Sequence, residues 1–251
     1  EDGWVVGCGD EKRVRSVLES VQCRTRTYGL EPQNEVRAED ISYDENGCAL
    51  FTATLYGHPL TDVELQVPGE HNVKNALAVI AVASLFSLPM SLVAETLHEF
   101  RGVHRRYELT SVTDGVRVYQ DYGHNPTETR NVLHVARIQA PQKLWAVLQP
   151  HTYSRTKALF DGFLTCFDEA DEVLVTDICG AREVDPGDIN SGMLVDAMVK
   201  KGIHAHLTPS FDDAEAYLRA HWQPGDVVVT LGCGDIDLLN EQIARNGDTH
   251  K

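Results

Sequence analysis

Residues 144–155 read LWAVLQPHTYSR, an apolar run of strand length that passes directly into a polar turn. Similar apolar runs recur to the end of the chain, and segments with the hydrophobic spacing of a helix separate them. Strands are predicted at 144–148, 173–176, 203–207 and 227–231, and helices at 156–167, 191–200, 212–221 and 236–245. This alternation predicts an α/β fold with a mainly parallel, doubly wound sheet and helices on both faces. Ligands of such sheets bind beyond the carboxyl ends of the strands.

The first hundred residues have a different pattern. The predicted elements are a strand–loop–helix unit over 4–21, a small antiparallel segment over 24–67 and two helices over 72–86 and 91–100. A junction is predicted at residues 101–104, and a hairpin over 106–121 follows it. We therefore expect two domains, residues 1–103 and residues 104–251.

Composition limits the classes of partner. The formal net charge is -16 and the sequence pI is about 5.0, so the surface repels nucleic acid and anionic lipid, and we expect neither nucleic acid nor a membrane as a partner. The six cysteines are scattered and form no CxxC pair, which argues against a zinc site and suits reduced thiols in a cytoplasmic protein. The longest apolar stretch, residues 76–88, is too short to span a bilayer.

The first candidate site lies in residues 69–76, which read GEHNVKNA. If a helix begins near Asn72, His71 and Asn75 lie one turn apart on the same face. The amide of Asn75 carries both a donor and an acceptor, which matches an adenine edge. The alternative is that Asn72 caps the helix and His71 is an ordinary surface residue. From these residues alone, the alternative is favoured.

The second candidate is a pair of adjacent arginines, Arg105 and Arg106, at the predicted junction. A guanidinium group can hold a phosphate through two parallel hydrogen bonds, and such a pair is notable in so acidic a protein. A surface ion pair with Glu108 or another carboxylate explains the arginines equally well.

The third candidate lies in residues 121–128, which read DYGHNPTE. A strand ends at Asp121, and Pro126 opens a helix at the first position that proline prefers. Asp121 could accept hydrogen bonds from ribose hydroxyls, and His124 could meet a substrate carboxylate. Turn chemistry alone would also explain these residue types.

The fourth candidate lies in residues 149–156, QPHTYSRT, directly after the strand predicted at 144–148. Arg155 offers a planar fork for an amino-acid carboxylate or a phosphate, and His151 and Tyr153 stand beside it. Ser154 could cap the next helix. A capped helix start does not need Gln, His, Tyr and Arg together, so this motif favours a function. We expect the loops after residues 120 and 148 to converge in one crevice with the junction arginines.

In this order, the four motifs resemble those of the Mur ligases, the ATP-dependent enzymes that build the peptide of bacterial peptidoglycan. The resemblance covers nearly the whole chain, and the fourth motif is most similar to the alanine-adding members. The chain has Asn125 and Thr152 where the family usually has His and Arg. The resemblance implies a Rossmann-like C-terminal domain at 104–251, preceded by the C-terminal part of a central ATPase domain at 1–103.

The resemblance also implies a reaction and roles for particular residues. ATP, with Mg²⁺, would convert the carboxylate of UDP-N-acetylmuramate into an acyl phosphate, which the amine of L-alanine then attacks. The implied cofactor-binding residues are His71, Asn75, Arg106 and Asp121. The implied catalytic residues are His124 and Arg155, and the implied substrate-binding residues are His151, Tyr153 and Arg155. No residue is assigned to a metal.

The chain contains no GxxxxGK[ST] phosphate loop, begins with Glu1 and has its first methionine at Met90. We therefore expect that the phosphate loop and the UDP-sugar site lie in a missing N-terminal part of the same protein, and that the 251 residues alone have no ligase activity. Two alternatives stay open. One is a non-catalytic nucleotide- or partner-binding module of the same fold, and the other is a related Mur-type ligase for another amino acid or peptide.

Overall fold

The structure is a computed structural model, and it describes residues 3–248. The chain divides into two compact units, of which the first ends at Gly102 and the second begins at Val103. Each unit has its own sheet and its own hydrophobic core. Within residues 3–248, no helix is long and apolar enough to cross a membrane.

Within residues 3–102, the first unit is built on a five-stranded sheet. Its elements are β1 (Trp4–Cys8), α1 (Lys12–Ser20), β2 (Arg24–Gly29), β3 (Val36–Tyr43), β4 (Cys48–Leu55), β5 (His58–Pro68), α2 (Glu70–Leu85) and α3 (Met90–Glu99). The strand order is β1-β2-β3-β4-β5. The buried residues of α2 include Val73, Leu77 and Ile80, which recur every three or four positions and so lie on one face against the sheet.

The antiparallel segment predicted over 24–67 is only partly correct. β3, β4 and β5 are antiparallel neighbours, but β2 pairs in parallel with β1 along its length and with the start of β3. The β2–β3 pairing is short, with Tyr28 opposite Val36 and Gly29 opposite Arg37. Because β3 begins beside the end of β2 and continues in the same direction, the two strands pair in parallel without a crossover helix between them.

Within residues 103–248, the second unit is built on a six-stranded sheet. Its elements are β6 (Glu108–Thr113), β7 (Val116–Asp121), α4 (Pro126–Ile138), β8 (Leu144–Leu148), α5 (Tyr153–Ala158), α6 (Phe160–Phe163), β9 (Glu172–Val175), α7 (Ser191–Lys200), β10 (Ala205–Leu207), α8 (Phe211–His221), β11 (Val227–Leu231) and α9 (Asp237–Asp248). The strand order is β10-β9-β8-β11-β7-β6, parallel except for β6, which forms an antiparallel hairpin with β7.

The centre of this sheet is covered on both faces. Every residue of β8 and β11 is buried. Trp145 and Val147 belong to the hydrophobic cluster on one face, whereas Ala146 and Leu148 belong to the cluster on the other. Parallel strands buried on both faces are typical of a sheet with helices on each side. The predicted doubly wound α/β fold is therefore confirmed.

The helix predicted over 156–167 is observed as two short helices, α5 and α6, and the second ends at Phe163, four residues earlier than predicted. Leu159 separates the two helices, and its φ of -105° and ψ of 9° lie outside the α-helical region. α5 also begins at Tyr153, three residues earlier than predicted. This earlier start places Arg155 in the first turn of a helix.

Candidate functional site

Three loops of the second unit meet at one edge of its sheet. β11 lies between β7 and β8 and is parallel to both, so the carboxyl ends of the three strands reach the same edge. There the backbone N–H of Gly232 donates to the carbonyl of Asp121 at 3.1 Å, and that of Gln149 donates to the carbonyl of Leu231 at 2.9 Å. The predicted site residues at or after these strand ends are Asp121, His124, His151, Tyr153 and Arg155.

Arg155 and His151 are the most directly coupled of these residues. Nη1 of Arg155 lies 3.4 Å from Nδ1 of His151 and 3.9 Å from Sγ of Cys233. Among residues 3–248, no carboxylate forms an ion pair with Arg155, and its side chain is half-buried. A half-buried guanidinium that faces an imidazole and a thiol keeps donors available for an anionic ligand.

The surroundings of His151 favour its neutral form. Burial lowers the pKa of His151 below the ordinary value of 6.5, and electrostatic interactions with Arg155 and with His124 lower it further. Because Arg155 can only donate, Nδ1 of His151 is the acceptor in their contact, and the neutral ring carries its proton on Nε2. The ring of His124 is close by, with its centroid 6.5 Å from that of His151.

The start of α5 explains how Arg155 is oriented. Thr152, and not the predicted Ser154, is the N-cap, and its Oγ1 accepts the backbone N–H of Arg155 at 3.4 Å. Thr152 lies between β8 and α5 and has a φ of 63°, in the left-handed region. Ser154 instead contacts Glu183, which lies on the loop after β9. The cap prediction was wrong because the turn at Thr152 starts the helix earlier than the sequence pattern indicates.

Tyr153 is half-buried, and its ring lies against the backbone of the loop after β9. A Cβ atom at Gly180 would lie 2.9 Å from Cε2 of Tyr153, so only glycine fits there. Within residues 3–248 the Tyr153 hydroxyl makes no hydrogen bond. Its predicted contact with substrate stays a prediction, since the structure gives the ring a packing role.

Asp121 is placed at the site edge but faces inward. Its side chain is only 3% exposed. One oxygen accepts the N–H of Tyr107 at 2.8 Å, and the other accepts the N–H of Gly123 at 2.6 Å. Burial raises the pKa of Asp121, while the two backbone donors and the charge of Arg106 oppose that rise. The carboxylate thus ties the start of the hairpin to the loop after β7, and its predicted ribose contact stays a prediction.

His124 is held by the first turn of α4. Its Nδ1 lies 3.0 Å from the carbonyl oxygen of Tyr122, so the neutral ring donates from Nδ1 and carries its lone pair on Nε2. Its backbone N–H donates to Oε2 of Glu128 at 3.0 Å. Asn125 caps the helix by accepting the N–H of Glu128 at 3.0 Å, and Pro126 is its first residue, as predicted.

The two junction arginines have different environments. Arg105 is half-buried, and its Nη2 donates to the carbonyls of Gly232 at 3.2 Å and Gly234 at 2.9 Å. Arg106 is exposed, forms no ion pair among the described residues, and places its guanidinium carbon 5.4 Å from the ring centroid of Tyr122. Arg105 is therefore committed to the loop after β11, and Arg106 is the arginine available to a ligand. Adjacent arginines look alike in sequence, so only their contacts distinguish them.

The loop after β11 contains a contact that sequence reasoning missed. Gln149 is 5% exposed, and its Nε2 donates to Oδ1 of Asp235 at 2.7 Å. A Cβ atom at Gly234 would lie 2.5 Å from Oε1 of Gln149 and 2.9 Å from Sγ of Cys179. Gly234 is thus required for three loops to pack together. Residues 232–235 read GCGD, a glycine turn that the sequence shows, but the residues against which this turn packs are distant in sequence.

The remaining predicted residues, His71 and Asn75, lie in the first unit, and both are exposed on α2. α2 begins at Glu70 after Gly69, whose φ is 99°, so Asn72 lies inside the first turn and is not the cap. Asn72 donates from Nδ2 to the carbonyl of Pro68 at 2.8 Å, and its Oδ1 accepts from Nδ2 of Asn75 at 3.1 Å. This contact orients the Asn75 amide, whose predicted adenine contact stays a prediction.

In the part of the chain that the structure describes, no group of three or more His, Cys, Asp or Glu side chains could hold a metal ion. We assign no residue of this chain to the Mg²⁺ that the resemblance implies.

Two family models match the chain. Residues 105–234 match the Mur ligase, glutamate ligase domain, and residues 1–83 match the Mur ligase middle domain. One match lies in each unit of the structure, and together they include residues 69–76, Arg105 and Arg106, residues 121–128 and residues 149–156.

Curated relatives and solved structures agree with these matches. The chain is 39% identical over 247 residues to a UDP-N-acetylmuramate--L-alanine ligase of Acetivibrio thermocellus, covering 98% of this chain and 53% of the relative. A Clostridium beijerinckii protein of the same name is 39% identical over 242 residues, covering 96% and 53%.

The structure is also similar to that of the Thermotoga maritima UDP-N-acetylmuramate-alanine ligase, with a TM-score of 0.78, 28% identity, and coverage of 98% of this chain and 52% of that one. A second Mur ligase of Thermotoga maritima, solved with ADP, shares the fold at 16% identity and a TM-score of 0.74, covering 100% of this chain and 55% of that one. The chain spans about half the length of the curated relatives it matches. On these matches and this fold, the chain belongs to the Mur ligase family.

Proposed function

We propose that this chain is the amino-acid-handling part of a cytoplasmic UDP-N-acetylmuramate–L-alanine ligase, an ATP-dependent enzyme of peptidoglycan synthesis. In this proposal, residues 1–103 are the C-terminal part of the central ATPase domain and residues 104–251 are the C-terminal domain. The names of the relatives support it. The observation that carries it is Arg155, a half-buried guanidinium at the carboxyl edge of the sheet that faces His151 and Cys233 and no carboxylate of the described residues.

In the proposed reaction, ATP phosphorylates the carboxylate of UDP-N-acetylmuramate, and the amine of L-alanine attacks the acyl phosphate. The amide forms, and phosphate and a proton leave. Arg155 holds the carboxylate of L-alanine through its planar fork, and His151 and Tyr153 line the same position. His124 accepts a proton from the alanine ammonium on Nε2, the nitrogen left free by its Nδ1 contact with Tyr122.

The nucleotide roles of the chain are also proposals. Arg106 contacts the ATP phosphates, and its exposure and lack of an ion pair in residues 3–248 support this role. His71 and Asn75 contact the adenine. Asp121 contacts the ribose. This role has the least support, because each of its oxygens already accepts a backbone N–H. Mg²⁺ would supply charge neutralisation at the phosphates.

A chimera tests the proposed function. The chain is joined to the upstream part of the Acetivibrio thermocellus relative, and ADP release is measured with UDP-N-acetylmuramate, L-alanine, ATP and Mg²⁺. We expect turnover by the chimera and none by the 251-residue chain, which contains no GxxxxGK[ST] phosphate loop.

The other outcomes separate the alternatives. A chimera that uses another amino acid or a peptide but not L-alanine would indicate a related ligase. A folded chimera that binds ATP without turnover would indicate a non-catalytic module. Turnover by the 251-residue chain alone would contradict the expectation that it is inactive.

A further inference from the structure

Glu183 lies on the loop after β9, yet its carboxylate binds the start of α5. Oε2 of Glu183 accepts the backbone N–H of Ser154 at 2.8 Å, and Oε1 accepts the Ser154 hydroxyl. After the two Ser154 contacts, the backbone N–H of Tyr153 and the side chain of Thr152 also help to lower the pKa of the Glu183 carboxyl group. A carboxylate in this position satisfies N–H groups that a helix start leaves unpaired, and it interacts favourably with the positive end of the helix.

Backbone contacts join the same two loops. The N–H of Thr152 donates to the carbonyl of Cys179 at 2.8 Å, and the N–H of Cys179 donates to the carbonyl of Pro150 at 2.8 Å. His151 and Cys179 thereby form an isolated parallel bridge. The N–H of Glu183 then donates to the carbonyl of Gly180 at 2.9 Å, in a turn that returns the Glu183 side chain toward α5. Residues 150–154 are therefore held by backbone pairing at one end and by a carboxylate at the other.

We propose that Glu183 is a positioning residue for Arg155 and His151, because its carboxylate fixes the first turn of α5 and so sets the direction of the guanidinium. This inference rests on the proposed function of the site. Glu183 does not contact the amino acid in this role. Ser154 and Arg155 are adjacent in the same turn, so a small rotation of that turn moves Nη1 of Arg155 away from Nδ1 of His151.

Glu183 also acts on His151 through its charge. The groups that face His151 are Arg155 and His124, which lower its pKa together with burial, and Glu183, which raises it. The hydrogen bonds from Ser154 lower the pKa of Glu183 itself, so its carboxylate is ionised at neutral pH. Removal of that charge alone lowers the pKa of His151 further. Detachment of the loop instead exposes His151 to water and moves its pKa toward 6.5.

The test compares Glu183→Gln with Asp188→Asn in the 251-residue chain. Glutamine keeps the shape of Glu183, but its amide nitrogen cannot accept a hydrogen bond from Ser154. Asp188 forms an ion pair with Lys157, so the control removes a charged contact between the same loop and the same helix without affecting the first turn. The ring of His151 is titrated by NMR, and L-alanine is then added while the His151 and Arg155 side-chain signals are followed.

We expect Glu183→Gln to move the pKa of His151 toward 6.5, because the detached loop exposes the ring, and to weaken the response to L-alanine about tenfold, the cost of one charge-assisted hydrogen bond. Asp188→Asn should change neither. If the pKa of His151 in Glu183→Gln is unchanged, or falls as loss of the charge alone requires, the positioning role is wrong. If the wild-type chain does not respond to L-alanine, the proposed function fails, and the titration without ligand still decides the role of Glu183.

Discussion

Nη1 of Arg155 lies 3.4 Å from Nδ1 of His151, and in this contact the arginine is charged while the imidazole is neutral. The permanent charge of the arginine opposes protonation of the imidazole, and burial acts in the same direction. At neutral pH, Arg155 therefore supplies the positive charge of the pair. His151 supplies a neutral ring with a proton on Nε2.

Replacement of Arg155 should affect the use of L-alanine selectively. In the active chimera, we expect Arg155→Gln to raise the KM for L-alanine about 10- to 100-fold, because a charge-assisted hydrogen bond to the carboxylate is lost. The KM for ATP should stay within about twofold. Steady-state kinetics with each substrate varied in turn measures both values. Lys157→Gln, an exposed change on the same helix, is the control, and an equal effect on both KM values would contradict the assignment.

The lowered pKa of His151 predicts a loss of stability in acid. The folded-state pKa lies below the unfolded-state value of about 6.5, so protonation favours the unfolded chain. The contribution of the neutral ring is complete above pH 6.5 and is lost as the pH falls from 6.5 through the folded-state pKa. His151→Gln should flatten this decline, whereas His58→Gln in the first unit should not. Urea unfolding of the second unit at about pH 7.5 and pH 5.5, followed by the buried Trp145, measures the difference.

Replacement of Arg105 should affect mainly the stability of the second unit, and replacement of Arg106 should affect mainly nucleotide binding. We expect Arg105→Ala to lower the free energy of unfolding of the second unit by about 1–3 kcal/mol, because the carbonyls of Gly232 and Gly234 lose a charged donor. Arg106→Ala should change it by less than about 0.5 kcal/mol, since Arg106 is exposed. In the chimera, Arg106→Ala should raise the KM for ATP. Urea unfolding and kinetics distinguish the two variants. If Arg106→Ala lowers the stability and Arg105→Ala raises the KM for ATP, the two assignments are wrong.

The N-cap of α4 should contribute measurably to stability. Asn125→Ala removes the acceptor of the Glu128 N–H and should cost about 1 kcal/mol. Thr127→Ala, an exposed change in the same helical turn, is the matched control and should stay within about 0.5 kcal/mol. The helix start also carries His124, so NMR signals of the His124 ring should shift in the Asn125 variant only. Equal unfolding midpoints for the two variants would show that the cap is not needed.

Much of the fold could be predicted because its signals are local in sequence. The apolar runs at 144–148 and 227–231 are strands with those bounds in the structure, and the helix at 191–200 is also observed as predicted. The predicted bounds of a helix were wrong where the conformation of a single residue starts or ends it. α5 begins early at the turn of Thr152 and ends at Leu159. The backbone conformations of these two residues cannot be predicted from the spacing of apolar residues.

The amino-acid sequence by itself determined the βα order of the second unit, the strand ends at which polar residues gather, and the four motifs that indicate a Mur ligase. The tertiary structure alone decided that Arg105 is bound to carbonyls while Arg106 is free of ion pairs in the described residues, and that Glu183 holds the turn of Arg155. The physical reason is that periodicity depends on neighbours along the chain. Hydrogen-bond partners and burial depend on residues that meet only when the strands assemble.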